Sequence, residues 1–312
     1  MKYPIGIQTF EQIINNGFVY VDKTDMVYAL ATEGKTYFLS RPRRFGKSLL
    51  LSTLRAYFEG KKELFKGLKI DKLEKDWHAH RVLHIDFNGV VFTRPGALED
   101  ELDKQLSTWE EEYHLPKGTR EMYGWRFEQI VQAIYTETGR GAVVLIDEYD
   151  KPLLDVLEMD PELLNNNREI LKAFYSVFKR TDAYLRFVFL TGVTKFSQVS
   201  VFSGFNQPLD ISMTEKFEAL CGITEEELHT QFAEPIREMA QAENCTEEEM
   251  KLQLKKHYDG YHFSKQMADI YNPFSILNAF YNKDIRDFWF ATGTPTYLIR
   301  LMNHFNEGID EL

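Results

Sequence analysis

Short continuous runs of apolar residues recur along the first two thirds of the chain. Apolar runs bounded by turn residues are typical of strands that are buried on both faces of a sheet. These runs lie at residues 37–39, 81–87, 142–146, 185–190 and 209–213. The pattern therefore predicts five buried strands.

The stretches between these runs carry apolar residues three or four positions apart, which indicates amphipathic helices. One such stretch follows the first strand, with Leu50, Leu54 and Phe58, and another covers the acidic residues 97–115. Strands that alternate with helical crossovers favour a parallel sheet with helices on both faces. We therefore predict an α/β fold with three layers and a mainly parallel five-stranded sheet. Ligands of such sheets bind at the carboxyl ends of the strands.

The last hundred residues follow a different pattern, with helices and without buried strands. Capping-box sequences begin at Thr224 and Thr246, and Asn272 stands before a proline where a third helix is expected to start. The sequence thus predicts two regions. Residues 1–213 form the core with an N-terminal helical segment, and residues 214–312 form a helical, lid-like lobe.

The exit of the first predicted strand carries a basic loop that ends in Gly46-Lys47-Ser48 and leads into a helix. Backbone N–H groups and the positive end of a helix dipole then point at one place, which suits the phosphates of a nucleotide. Lys47 is predicted to reach the β- and γ-phosphates, and Ser48 to bind the Mg²⁺ between them. The predicted nucleotide-binding residues are Arg43, Arg44, Phe45, Gly46, Lys47, Ser48 and Leu49.

This loop departs from the general P-loop pattern G-x-x-x-x-G-K-[ST]. Arg41 occupies the position of the first glycine, and Pro42 behind it has no N–H to donate. The signal is therefore Gly-Lys-Ser between a strand and a helix. Taken alone, this fragment fits an ordinary loop equally well.

Two carboxylates, Asp147 and Glu148, end the third predicted strand, as in a Walker B strand. Asp147 is predicted to hold the magnesium ion with its water shell, and Glu148 to orient or deprotonate the attacking water. The alternative is a core strand whose terminal acids are solvated or cap the next segment. Thr191, at the end of the fourth strand, is a candidate for a hydrogen bond to the γ-phosphate or the water, or else belongs to a turn. The predicted catalytic residues are thus Glu148, Lys47 and Thr191, and the predicted metal ligands are Ser48 and Asp147.

Composition narrows the classes of partner and compartment. The 312 residues carry a net charge of −11, which argues against a protein that binds nucleic acid through its overall field. A local basic patch at Arg41, Arg43 and Arg44 is still compatible with this charge. Cys221 and Cys245 are too few for a disulfide framework or a zinc site, so we expect a cytoplasmic protein. No apolar run has the length that a membrane span requires.

In combination, these stretches resemble the AAA-ATPase-like family of bacterial P-loop proteins, in which this region is commonly followed by a nuclease domain of the PD-(D/E)XK type. The resemblance rests on residues 17–24, 41–48, 145–152, 191–193 and 271–274. It implies a three-layer P-loop NTPase core of the AAA/ASCE type. It also implies ATP and Mg²⁺ as ligands, with Lys47, Ser48, Asp147 and Glu148 in the family roles. Because no nuclease region is visible, we expect a fragment of a longer protein or a natural version without the nuclease.

Two functions of different class follow from these interpretations. The first is Mg²⁺-dependent ATP hydrolysis coupled to a conformational change of the helical lobe, with an arginine such as Arg300 reaching the phosphates. The alternative is a nucleotide-dependent switch or protein-interaction module with little or no turnover. The predicted partners are ATP and a nuclease domain or another protein, while direct nucleic-acid binding fits the acidic chain poorly.

Overall fold

A computed structural model describes residues 1–195, 201–202, 205, 208–264 and 268–288. Arg300, predicted to reach the phosphates, lies outside the described residues, as does the rest of the predicted lobe after residue 288. Within the described ranges, no helix is both long enough and apolar enough to cross a membrane.

One parallel sheet forms the centre of the molecule. Its strands are β1 (Thr36–Ser40), β2 (Val82–Asp86), β3 (Ala142–Asp147), β4 (Leu185–Gly192) and β5 (Leu209–Asp210). They lie in the order β2-β3-β4-β1-β5, and each neighbouring pair is parallel. The predicted α/β fold with a parallel five-stranded sheet is confirmed. Because β4 lies between β1 and β3, the chain segments that leave these three strands meet at one edge.

The fifth strand is shorter than the predicted run of residues 209–213. Only Leu209 and Asp210 pair with β1. The Asp210 carboxylate then accepts a hydrogen bond from the N–H of Ser212 at 2.9 Å, a side-chain turn that ends the strand. The Ser212 hydroxyl in turn accepts the N–H of Ser40 at 2.8 Å. A local polar turn therefore ended the strand before the apolar run did.

Helices cover both faces of the sheet. They are α1 (Phe10–Asn15), α2 (Thr24–Glu33), α3 (Lys47–Phe58), α4 (Lys69–Leu73), α5 (Ala97–Glu112), α6 (Tyr123–Thr138), α7 (Lys151–Leu154) and α8 (Pro161–Arg180). Alternate residues of β3 separate two apolar clusters. Val144 and Ile146 belong to the cluster with α5, α6 and α8, whereas Val143 and Leu145 belong to the cluster with α1, α2 and α3. Burial on both faces explains why this strand is a continuous apolar run.

The C-terminal region has its own small apolar cluster. Its elements are β6 (Ile223–Thr224), α9 (Glu225–Gln231), α10 (Ala233–Ala242), α11 (Glu247–Tyr258), β7 (Ile270–Tyr271) and α12 (Pro273–Asn282). Both predicted capping boxes are formed, since Thr224 and Thr246 each accept the N3 backbone N–H of their helix. The expectation of a region without buried strands was wrong, because β6 and β7 form a buried antiparallel pair. Two-residue strands are too short to show a period in sequence.

The N-terminal segment contacts this C-terminal region. Tyr3, Val19 and Val21 pack against its apolar cluster. Lys23, with a side chain only 8% exposed, forms an ion pair at 2.5 Å with Glu227 of α9. The predicted division after residue 213 stays a prediction, and the chain segments on its two sides are in direct contact.

Candidate functional site

The loop between β1 and α3 has the backbone geometry of an anion site. Gly46 precedes the helix with φ +90° and Arg44 lies in the left-handed region with φ +70°. No side chain caps the N-terminus of α3, so its first N–H groups lack a side-chain acceptor. These groups and the helix dipole together favour a negatively charged ligand.

Lys47 occupies the first turn of α3 and is buried, with only 6% of its surface exposed. Its Nζ donates to the carbonyl oxygens of Arg41 at 3.0 Å and Pro42 at 3.2 Å, within its own loop. Burial lowers the pKa of Lys47, and the charges of Glu148 and Asp147 oppose that shift. A desolvated cation held beside an open cavity gains strongly from an anionic ligand.

Hydrogen bonds connect the first turn of α3 to the carboxyl ends of β3 and β4, through the side chains of Ser48, Asp147 and Thr191. The Ser48 hydroxyl donates to Asp147 Oδ2 at 2.6 Å, and the Thr191 hydroxyl donates to Oδ1 of the same carboxylate at 2.5 Å. A hydroxyl beside a carboxylate is the hard-oxygen donor set that Mg²⁺ prefers, with water and phosphate as the remaining ligands. The residues present therefore fit a magnesium ion.

Glu148 follows Asp147 and has a strained backbone, with φ +51°. A non-glycine residue in this region costs free energy and persists only where surrounding contacts enforce it. Burial is the main cause that raises the pKa of Glu148, and Asp147 raises it further, while Lys47 and Arg43 lower it. A carboxyl group whose pKa is raised is better matched to proton transfer near neutral pH.

A cavity of about 590 Å³ opens onto these groups. Most of the predicted residues line it, namely Arg43, Arg44, Gly46, Lys47, Ser48, Leu49 and Glu148. Asp147 lies behind Ser48, and the fully buried Thr191 lies behind Asp147. Since the Thr191 hydroxyl is bonded to Asp147, its predicted contact with a phosphate or water stays a prediction.

Three further parts of the chain line the same cavity, and of their residues only Lys151 was considered for the site from the sequence. They are residues 4–8 of the N-terminal segment, the pair Asn88 and Lys151, and residues Pro273, Phe274, Leu277 and Asn278 of α12. Lys151 had a sequence signal, since it lies four residues after Asp147. Nothing in the sequence links the N-terminal segment or α12 to the loop at Lys47.

A smaller apolar pocket of about 100 Å³ adjoins the cavity. Leu49, Pro273 and Leu277 line both spaces. The remaining wall comes from the N-terminal segment and the chain before α9, including Tyr20, Cys221 and Ile223. This apolar space lies beside the loop that ends in Gly46-Lys47-Ser48.

Arg41, at the unusual first position of the loop, does not line the cavity. Its guanidinium is buried and donates to the carbonyl oxygens of Ser212 at 2.6 Å and Phe217 at 3.3 Å. It also lies 3.9 Å from the ring centroid of Phe263. Arg41 therefore joins the loop to the region after β5, a task that a glycine could not perform.

The ring of Phe45 also points away from the larger cavity. It packs against Tyr261 and Phe263, with centroid distances of 4.6 and 5.5 Å, and borders the apolar pocket. Any part of Phe45 in binding phosphate therefore belongs to its backbone, since its side chain anchors the loop to the C-terminal region.

The parallel sheet and the loop at its edge define the class of this protein as a P-loop NTPase fold. The chain belongs to the AAA-ATPase-like family, whose model, described as predicted AAA-ATPase, matches residues 4–202. Membership of this family supports nucleotide binding.

One relative and one solved structure add to this assignment. The "Uncharacterized protein in vnfD 5'region" of Azotobacter chroococcum mcd 1 is 41% identical over 303 residues, which cover 96% of this chain and 56% of that protein. The chain thus spans a little over half the length of this relative. The Aeropyrum pernix ORC1 protein, solved in complex with DNA, matches 75% of this chain and 59% of its own at 14% identity and a TM-score of 0.34. At this TM-score and identity, no property of the ORC1 protein can be assigned to this chain.

Proposed function

We propose that this protein binds ATP with Mg²⁺ in the cavity at the carboxyl edge of the sheet and hydrolyses it to ADP and phosphate. The observation that carries the proposal is the 2.6 Å hydrogen bond between Ser48 and Asp147. It joins the end of β3 to the first turn of α3, beside Lys47 and Glu148. A nucleoside triphosphate with its metal needs these four groups close together: a hydroxyl, a carboxylate, a lysine and a second acid.

Each end of the nucleotide has a matching surface. The phosphates would meet the N-terminus of α3 and Lys47, and the base would enter the apolar pocket beside Leu49 and Tyr20. Mg²⁺ would be held by Ser48, with Asp147 behind it, and would neutralise charge on the phosphates when bound. Asn88 and Lys151 line the wall next to Glu148 and complete the polar side of the cavity.

Glu148 is the proposed general base for the attacking water. Its raised pKa and its place on the cavity wall support this role. The charges of Lys47 and Arg43 act against the effect of burial and lower the same pKa. Thr191 would act through Asp147, because its hydroxyl holds that carboxylate.

A nucleotide-dependent switch with little turnover is the second candidate. The contacts of the loop with the C-terminal region favour it, since Phe45 packs on Tyr261 and Phe263 and Arg44 lies 4.8 Å from the ring of Phe274. A nucleotide that moves the loop would therefore also move this region, provided that it binds the two arrangements with different affinity. Coupling to a nuclease domain or to another protein stays a prediction.

Phosphate release from ATP by wild type and by Glu148→Gln tests the two candidates together. The substitution keeps the shape of the side chain and removes the base, so we expect binding of ATP·Mg²⁺ to persist and phosphate release to fall by about 10²-fold or more. Calorimetry on both proteins measures the binding. A wild type that binds ATP and is as inactive as the variant would exclude hydrolysis and leave the switch.

A further inference from the structure

The loops that follow β3 and β4 are held together by one buried carboxylate. Asp150 has no exposed surface, and its Oδ2 accepts hydrogen bonds from the N–H of Val193 at 3.1 Å and from the N–H and hydroxyl of Thr194 at 2.8 and 2.9 Å. Tyr149 adds two more links, from its N–H to Thr191 O at 2.9 Å and from its hydroxyl to Thr194 O at 3.2 Å. Breaking hydrogen bonds to a buried group is costly, because the donors are left without a partner.

Gly192 allows this close approach. A Cβ atom at position 192 would lie 2.5 Å from a ring carbon of Tyr149 and 2.9 Å from Asp150 Oδ1. Real Cβ atoms do not come so close to a neighbour, so any larger residue would push the two loops apart. Glycine is needed here for space, because its backbone is an ordinary part of β4.

Glu148 lies between the fixed points of this arrangement. Before it, Asp147 is held by Ser48 and Thr191. After it, Tyr149 and Asp150 are held by the loop after β4. The left-handed backbone of Glu148, at φ +51°, is thus enforced from both sides.

The same β4 loop also touches the start of the phosphate-binding loop. The carbonyl oxygen of Gly192 accepts the N–H of Arg41 at 3.2 Å, and that of Val193 accepts the Ser40 hydroxyl at 3.0 Å. The loop after β4 therefore lies between the segment that carries Lys47 and the segment that carries Glu148.

We infer that Asp150 and Gly192 are positioning residues, which hold the strained Glu148 in place by locking its loop onto the loop after β4. The inference rests on the proposed hydrolysis, since it assigns these residues an effect on the step that Glu148 performs. A positioning role differs from a purely structural one in its expected effect. Variants of a positioning residue lose turnover while they still bind the nucleotide.

The test uses two variants that disturb the contact between the loops after β3 and β4, one on each side of that contact. Asp150→Ala removes the acceptor of the Val193 N–H and of the Thr194 N–H and hydroxyl. In Gly192→Ala the new methyl group displaces Tyr149. For each we expect kcat for phosphate release to fall by about 10- to 100-fold, because small displacements of a reacting group have effects of this size. The Kd for ATP·Mg²⁺ should change by less than about threefold, since the binding groups are untouched.

Asn167→Ala is the matched control. Its amide donates to the carbonyl oxygen of Pro152 at 2.8 Å, so the variant removes a buried hydrogen bond from the next turn of the chain without touching the β4 loop. We expect it to lose stability and keep kcat. An equal loss of kcat in this control, an unchanged kcat in both test variants, or an ATP affinity that falls as far as kcat would each overturn the inference.

Amide exchange separates this inference from the proposed function. In the absence of nucleotide, Asp150→Ala should speed exchange both at residues 147–150 and at residues 191–194, whereas the control should not. If wild type binds ATP and releases no phosphate, the proposed hydrolysis is wrong. Amide exchange then still tests whether Asp150 holds the two loops together. Faster exchange in only one of the two loops would then overturn it.

Discussion

The two walls of the cavity differ in how they are built. The wall at the sheet edge carries polar side chains, among them Lys47, Ser48 and Glu148. Behind it, Asp147 accepts hydrogen bonds from Ser48 and Thr191. The opposite wall, from residues 4–8 and α12, offers mainly apolar side chains and backbone. The first wall is suited to phosphate chemistry, and the second to recognition of a nucleoside.

This difference teaches that chemistry and recognition depend on different parts of the chain. The polar wall comes from strand ends whose register in the sheet is fixed by backbone pairing. The apolar wall depends on how the C-terminal region packs against the N-terminal segment. Arg41 and Phe45 are the physical links between the two, since both extend from the loop between β1 and α3 into the C-terminal region.

Removing the Phe45 side chain, which connects the two walls, should have the largest effect. Phe45→Ala removes a fully buried ring from its contacts with Tyr261 and Phe263, which should cost about 3–5 kcal/mol of unfolding free energy. Urea unfolding measures this loss, and Phe45→Leu serves if the alanine variant does not fold. In Phe45→Leu we also expect any ATP-induced change in protease cleavage of the C-terminal region to weaken.

Phe127→Leu is the control for this prediction, because Phe127 is equally buried on the other face of the sheet. It should lose a similar stability and keep the wild-type response to ATP. A response that survives in Phe45→Leu would show that the two walls are not connected through this ring.

Removing the central cation of the polar wall should have the next largest effect. Lys47→Ala should weaken binding of ATP·Mg²⁺ by about 100-fold, the size expected for hydrogen bonds between charged groups in a buried site. Unfolding free energy should not fall in parallel, because burial lowers the pKa of Lys47 and its charge is costly in the free protein. Calorimetry and urea unfolding check the two parts.

Lys35→Ala is the matched control, since this lysine lies before β1, at the far end of the strand, and pairs with Asp182 at 2.8 Å. We expect wild-type affinity in that variant. Unchanged affinity in Lys47→Ala would place the phosphates elsewhere.

The apolar wall should show a smaller and more selective effect. Leu277→Ala removes a side chain that lines both the cavity and the apolar pocket, which should weaken ATP binding by about tenfold. Tripolyphosphate, which has no nucleoside, should bind equally well to the variant and to wild type. Competition calorimetry with both ligands makes the comparison.

Leu252→Ala provides its control, because Leu252 is 67% exposed on α11 and does not border either space. If Leu277→Ala weakens the binding of tripolyphosphate as much as that of ATP, the apolar wall does not recognise the nucleoside separately from the phosphates.

The pH dependence of turnover should show the smallest effect. A general base must be ionised, so kcat/KM should fall as the pH drops through the pKa of Glu148 in the free enzyme. Because burial and Asp147 raise that pKa, the midpoint should lie above the ordinary value of 4.5. Rates between pH 4.5 and 8 at saturating Mg²⁺ test this, and a midpoint at or below the ordinary value would argue against Glu148 as the base.

The polar wall was largely predictable because its residues stand in short patterns beside apolar runs. Asp147 and Glu148 follow the third predicted strand directly, and Lys47 and Ser48 end the loop after the first one. Parallel strands place their exits at one edge. The orientation of Thr191 was not predictable in this way. Its hydroxyl reaches Asp147 because β4 lies between β1 and β3, and strand order follows from packing and not from local pattern.

The apolar wall was not predictable, since its members are separated by more than two hundred residues. Residues 4–8 and Leu277 meet only because Tyr3 and Val21 pack on the cluster around α9 and α10. Asn88 follows β2 with no distinguishing neighbour, and its place on the cavity depends on the pairing of β2 with β3.

By itself, the sequence determined the four longer strands of the sheet, the crossover helices and the residue types at the strand exits, because these depend on period, capping and turn chemistry between near neighbours. Only the tertiary structure decided which exits adjoin, which way Arg41 and Phe45 point, and which distant segments enclose the cavity. Those outcomes arise from the burial of apolar surface across the whole molecule, where contacts between residues far apart in the chain select one arrangement.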